Sequence, residues 1–178
     1  MEETVLLPIQ VVTHEIVYQD RNQSIRRVVA DFGKFEKEYF VSDHGQRAAL
    51  VVLHKNQVLL TRQYRLLPNT ISLEIPGGRI DKNESPKKAA KRECLEETGV
   101  QCKKLKLLLS FHSGMDIWLN YTHVFLAEHS KHTAKTNNER SEWVSLDKCV
   151  KMAFSGEILD ILTIVSIFAI NTLRVMKR

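Results

Sequence analysis

Cysteine is scarce in this 178-residue chain, and its three copies, Cys94, Cys102 and Cys149, show no CxxC spacing and no companion histidine at zinc-finger spacing. That excludes a disulfide framework and a structural zinc site as organising devices and fits a reducing compartment. Proline and glycine are few, at 4 and 7, which argues against extended disorder. Aromatic residues make up 7% of the chain, and none interleaves with the basic clusters Lys87, Lys88, Lys91, Arg92 or Lys103, Lys104, Lys106. A base-stacking surface for nucleic acid is therefore not indicated. Long apolar runs are also missing. The nearest candidate, residues 158–173, is shorter than the roughly 20 residues a bilayer needs, carries Asp160 and Asn171, and reads as a buried helix. The opening Met1-Glu2-Glu3-Thr4 is acidic where a secretory signal needs positive charge. The expectation is a cytoplasmic protein with no membrane association.

What is present is a globular composition, 43% hydrophobic and 26% charged, with a formal net charge of +5. The length suits one compact domain with its own core. The charge permits attraction to phosphates without separating nucleotides from nucleic acids.

Residues 9–18, 25–32 and 39–41 read as strands of an antiparallel N-terminal sheet. Two further strands, 48–53 and 58–60, are joined by a hairpin at His54-Lys55-Asn56-Gln57. Residues 71–75 form a short strand halted by Pro76, and Gly77 and Gly78 then open a loop along a backbone path that a Cβ would resist. Ser85 as N-cap, Pro86 at the first helical position and Gly99 as a left-handed C-terminal cap bound a helix from Pro86 to Thr98. Residues 105–111 and 122–127 read as strands linked by a loop at 112–120, residues 130–138 as polar and exposed, and 142–145 as a last short strand. A short helix from 146 to about 154 and a long apolar helix over 157–176 complete the pattern.

On the first helix Glu93, Glu96 and Glu97 share one face, with Ala89 and Ala90 one turn earlier, small enough to let another loop or a substrate come close. Like charges at this spacing repel, so the cluster makes sense if cations neutralise it; Arg92, four residues before Glu96, is one. Hard cations such as Mg2+ or Mn2+ prefer carboxylate, carbonyl and water oxygens and commonly hold substrate phosphates too. The chemistry suggested is phosphoryl transfer to water. An isolated ExxEE would be read as a solvated acidic helix, and the surrounding pattern decides otherwise. Gly78, Glu84, Arg92, Glu93, Glu96, Glu97 and Gly99 stand at fixed spacing within the 23 residues from Gly78 to Val100, and this stretch resembles the Nudix box. Cys94 replaces the usual aliphatic residue, and a small buried thiol can fill that slot.

The resemblance implies a Nudix α/β/α sandwich with a mixed central sheet between the box helix and the C-terminal helix. A small antiparallel N-terminal sheet precedes it, residues 1–45, helping to form a homodimer and the substrate pocket, with the hydrolase domain over 46–178. It implies that Glu93 and Glu97 are principal metal ligands, that Glu84 and the Gly77 carbonyl contribute, that Glu96 is a further ligand or water-orienting base, and that Arg92 orients a glutamate. The cofactor implied is Mg2+, with Mn2+ as a substitute, which would activate a water whose proton a carboxylate accepts.

Outside the box, Arg62-Gln63-Tyr64-Arg65 and Leu73-Glu74-Ile75-Pro76-Gly77-Gly78 are similar to the stretch preceding the box in ADP-ribose pyrophosphatases. Arg65, and Arg62 unless it is a plain surface arginine, would then grip diphosphate oxygens through forked donors. Glu74 would contact water at the metal or the arginine pair, or form a structural ion pair. Trp118 either stacks on a base or packs on the core. The catalytic base of the subfamily corresponds to Glu139 or Glu142, with Glu139 preferred. The chain departs from the subfamily at His112-Ser113-Gly114, with Met115 where a proline is expected. The reading is hydrolysis of ADP-ribose or a related nucleoside diphosphate sugar to a nucleoside monophosphate and a sugar phosphate. A GDP-sugar, NADH, a dinucleoside polyphosphate or a modified nucleoside triphosphate are alternative substrates. A non-catalytic nucleotide sensor is the alternative of another class, and the intact box counts against it.

Overall fold

The computed structural model describes residues 6–128 and 140–176, which fall into two compact units. The first comprises the chain up to Gln46 together with His112–Tyr121. Its strands β1 (Gln10–Gln19), β2 (Ser24–Asp31) and β3 (Glu36–Asp43) form an antiparallel meander. The polar break between β1 and β2 is a turn in which Asp20 Oδ1 accepts from the backbone N–H groups of Asn22 and Gln23 at 2.7 and 2.8 Å. The segment expected to be a plain loop, 112–120, contributes a two-residue strand, Trp118–Leu119 (β9 in chain order), that runs parallel to β3. Every residue of β1 is exposed, including Val11, Ile16, Val17 and Tyr18.

The second unit holds Arg47–Phe111 and the chain from Thr122 onward. Strands β4 (Arg47–His54) and β5 (Gln57–Arg65) are joined by the expected hairpin, with Lys55 and Asn56 at φ of 46° and 64°, the positive values a two-residue type I′ turn demands. The two strands pair at Leu53 with Val58 and His54 with Gln57 and then part. Into the fork come β6 (Thr70–Glu74), antiparallel to β5, and β7 (Gly77–Arg79), antiparallel to β4. The loop expected at Gly77 and Gly78 is thus a short strand, tied in by the Leu50 N–H donating to the Pro76 carbonyl at 2.9 Å. Neither glycine has a positive φ, so the conformational freedom of glycine is not what the position requires; close approach is. A Cβ on Gly77 would lie 2.6 Å from the Ala49 Cβ.

The sheet runs β11-β5-β4-β10-β8, where β8 is Lys106–His112, β10 is Tyr121–Glu128 and β11 is Ser141–Ser145. It is mixed, because β10 lies parallel to β4 while β5 and β11 lie antiparallel to each other. Side chains alternate across a strand, and β4 divides the core accordingly. Ala48, Leu50 and Val52 pack with Ala89, Ala90 and Cys94 of helix α1 (Pro86–Thr98) on one face. Ala49 and Val51 pack with Leu146, Cys149 and Met152 of α2 (Leu146–Ser155) and Ile167 and Ile170 of α3 (Ile161–Met176) on the other. This is the expected three-layer α/β/α arrangement.

Two expectations are corrected. The last helix begins at Ile161 rather than at 157, because Gly156 closes α2 in the left-handed region at φ 79° and Asp160 starts a new helix. The Asp160 Oδ2 accepts from the Thr163 N–H at 2.8 Å, an N-cap that its charge had disguised. Nor are residues 158–173 a helix buried all round: Thr163, Ser166, Ile167 and Ile170 are buried, while Leu159, Ile161 and Leu173 are exposed. Among the described residues no helix is long and apolar enough to cross a membrane. The polar segment 130–138 lies outside the described residues.

Candidate active site

The site is built on α1, and the rotation of that helix is fixed by its ends and its packing. Ser85 Oγ accepts from the Lys88 N–H, and Gly99, at φ 72°, donates its N–H to the Leu95 carbonyl at 2.8 Å. Ala89 and Ala90 are fully buried against the sheet. The close approach their size allows is therefore used by β4 and β7, not by a substrate. With the alanines pinned, Glu93 and Glu97 are carried to the edge of the packed face. The Glu93 carboxylate sits where a Cβ of Gly78 would be, 2.3 Å from that position. Gly78 is the residue that lets the strand pass the carboxylate.

Arg92 gathers the other acids. Its Nε and Nη2 donate to the two oxygens of Glu84 at 3.1 and 2.9 Å, and its Nη1 donates to Glu93 at 2.7 Å and Glu96 at 3.2 Å. Its Nη2 also reaches the Arg79 carbonyl at 3.0 Å, tying helix to β7. The Glu84 carboxyl is held below the ordinary carboxylate range, chiefly by its bond to Arg92, and the guanidinium is correspondingly harder to deprotonate.

Glu97 is held differently. Gln63 Nε2 donates to its Oε1 at 2.6 Å and the Gly77 N–H to its Oε2 at 3.1 Å. Burial pushes its pKa up, the Gly77 N–H and Gln63 pull it down, and the Glu93 charge raises it again. Beside it Arg65 forms a two-pronged ion pair with the buried Glu74, at 2.7 and 2.5 Å, so Glu74 meets the arginine. Arg62 pairs with Glu142 across to β11 at 2.7 Å, and its N–H donates to the Arg140 carbonyl at 2.7 Å. A cleft of about 340 Å³ opens between these groups, lined by Thr61, Arg62, Gln63, Glu96, Glu97 and Arg140. Its lining carries both acidic groups, Glu96 and Glu97, and basic ones, Arg62 and Arg140, the two kinds of charge needed to hold a cation and a phosphate.

The donor chemistry suits a hard divalent cation: carboxylate oxygens, one of them on a half-buried group repelled by its neighbour, next to a strand that brings the Gly77 backbone close. Among the described residues no three such acidic groups already converge as a cage, because Arg92 draws Glu84, Glu93 and Glu96 to itself while Gln63 and Gly77 hold Glu97.

Most of the residues singled out in the sequence meet in the second unit: Arg62, Arg65, Glu74, Gly77, Glu84, Arg92, Glu93, Glu96 and Glu97. Trp118 stands on β9 in the first unit, half exposed, with its Cβ 2.9 Å from where a Cβ of Gly114 would be. Glu139 lies outside the described residues. Sequence reasoning passed over Gln63 and Arg140. Period-two alternation along β5 was the signal available for Gln63, because it places residues 61, 63 and 65 on one face.

Comparison with known proteins agrees with the fold. The NUDIX domain family model matches residues 44–160, and the chain belongs to the NUDIX family as a pyrophosphohydrolase. Among curated relatives it is 32% identical over 134 residues to an ADP-ribose pyrophosphatase of Bacillus subtilis, covering 72% of each chain. It is 27% identical over 141 residues to a methanol dehydrogenase activator of Bacillus methanolicus, covering 76% of each. A crystal structure of an ADP compounds hydrolase superposes with a TM-score of 0.75 over 96% of both chains at 18% identity, a likeness of fold.

Proposed function

We propose that the protein hydrolyses the diphosphate linkage of ADP-ribose or a related nucleoside diphosphate sugar, with Mg2+ (or Mn2+), to a nucleoside monophosphate and a sugar phosphate. The observation that carries the reading is the cleft lined by both Glu96 and Glu97 and by Arg62 and Arg140. The similarity to an ADP-ribose pyrophosphatase over 72% of the chain supports the substrate class.

In this reading Glu93 and Glu97 are the principal metal ligands, with Glu84 and the Gly77 carbonyl contributing. A divalent cation held there would supply neutralisation of the diphosphate and acidification of the attacking water. Arg92 holds Glu84, Glu93 and Glu96 through one guanidinium. Glu139 is the preferred acceptor of the attacking water's proton; Glu96, the most exposed of the box carboxylates that Arg92 pairs with, is the second candidate for that role. Arg62 and Arg65 leave their carboxylate partners for phosphate oxygens, an exchange of one charge-assisted pair for another. The working form is a homodimer in the cytoplasm.

The test is release of phosphatase-labile phosphate from a panel of nucleoside diphosphate sugars, dinucleotides and nucleoside triphosphates, with Mg2+ and with chelator. Mg2+-dependent cleavage of ADP-ribose is expected. Cleavage of another member, such as a GDP-sugar or NADH, would move the substrate and keep the chemistry; no turnover across the panel would sink the enzymatic reading.

A further inference from the structure

We propose that Gln63 is a positioning residue for Glu97, holding its carboxylate in the orientation in which it takes up the cation. The inference rests on the metal-dependent hydrolase reading above and adds a residue to it that no box pattern contains.

The argument starts from the fork between β4 and β5. Once the strands part after Val58, β5 runs on with β6, and Gln63 stands opposite Ser72 in that ladder. The other arm of the fork, β4, carries β7, and Gly77 stands opposite Ala49. Each arm supplies one donor, and the two donors take the two oxygens of one carboxylate: Gln63 Nε2 on Oε1 at 2.6 Å and the Gly77 N–H on Oε2 at 3.1 Å. A carboxylate held at both oxygens by donors from separate strands cannot rotate about its terminal bond without breaking one of them.

A carboxylate oxygen has more than one lone-pair direction, so accepting a hydrogen bond and ligating a cation are not mutually exclusive. The chemistry of the donor also matters. Lysine or arginine at position 63 would compete with a divalent cation for the same charge, whereas an amide orients the oxygen and leaves the negative charge unspent. The amide is the donor here because an ionised carboxylate offers acceptors alone. Partners that orient ligating carboxylates in this way typically contribute about 10–100-fold to metal affinity or activity.

The experiment compares wild type with Gln63→Met, which keeps the shape and loses the donor, and Gln63→Leu as a second donor-free variant. Mn2+ binding is measured by electron paramagnetic resonance without substrate, followed by kcat and KM for the cleaved nucleotide sugar over a range of Mn2+. The expected result is Mn2+ affinity about 10–100-fold weaker, with the unfolding midpoint preserved. A fall in kcat that excess Mn2+ largely restores and a KM for the substrate that stays near wild type complete the expectation. Folded variants that bind Mn2+ as tightly as wild type would overturn the proposal alone. Loss of the fold in both would assign the bond to stability and overturn it as well. A wild type that binds no Mn2+ would sink the hydrolase reading, and this inference with it.

Discussion

At the scale of single residues the site shows a carboxylate placed against its own electrostatic interest. Burial and the neighbouring Glu93 hold the Glu97 carboxyl above the ordinary range in the folded chain. Its ionised form therefore disfavours the fold. That cost is absent below the unfolded-state pKa of about 4.3 and complete above the folded value. For Glu97→Gln, turnover should be lost with the fold kept, and the stability of the variant relative to wild type should rise as the pH goes from about 4 to neutrality. Urea unfolding in chelator at the two pH values checks this; a difference that stays flat would mean that Glu97 is not strained by its surroundings. Glu93→Gln should abolish turnover as well. Gly78 shows a second kind of dependence. Its role is to be absent from the space that Glu93 fills, a reason that backbone conformation does not provide and that a sequence pattern marks without explaining.

At the scale of elements, what could be read in advance depended on whether a segment carried its own local signals. Helix α1 has a serine cap, a first-turn proline and a glycine stop, and its bounds follow from those residues alone. The start of α3 was misplaced because its cap is an aspartate inside an apolar run, and the charge reads equally as an interruption. Strand β7 was taken for a loop because two glycines next to a proline look like a turn, while its pairing with β4 is a contact from some distance along the chain. The Arg62–Glu142 and Gln63–Glu97 partnerships are cross-strand and strand-to-helix contacts that no local pattern announces. The same α3 cap supports a prediction. Thr163 Oγ1 donates to Asp160 at 2.6 Å and accepts from the Ile75 N–H at 3.0 Å, pinning the end of β6 just ahead of Pro76 and Gly77. Thr163→Val keeps the shape and leaves a buried N–H without its acceptor, so chemical denaturation should show a loss of about 1–3 kcal/mol. Thr163→Ser, which keeps the hydroxyl, should lose much less.

At the scale of the whole molecule, the first unit exposes a complete ten-residue edge strand bearing Val11, Ile16, Val17 and Tyr18. Edge strands of that length with apolar side chains are normally covered or blunted. The proposed homodimer would cover it: sedimentation should give twice the chain mass, and Val11→Lys combined with Ile16→Lys should shift the protein toward the monomer. A wild type that sediments as a monomer at high concentration would count against the dimer. The second unit raises a different matter, that of permitted insertions and deletions. Ala89 and Ala90 are locked against β4 while Glu93 and Glu97 meet β7 and β5 further along the same helix. One residue gained or lost between the alanines and Glu97 would turn the second group by about 100° relative to the first, whereas a residue gained in the turn at 80–84 would leave that angle untouched. The fixed length of the helical half of the box is therefore a constraint on rotation.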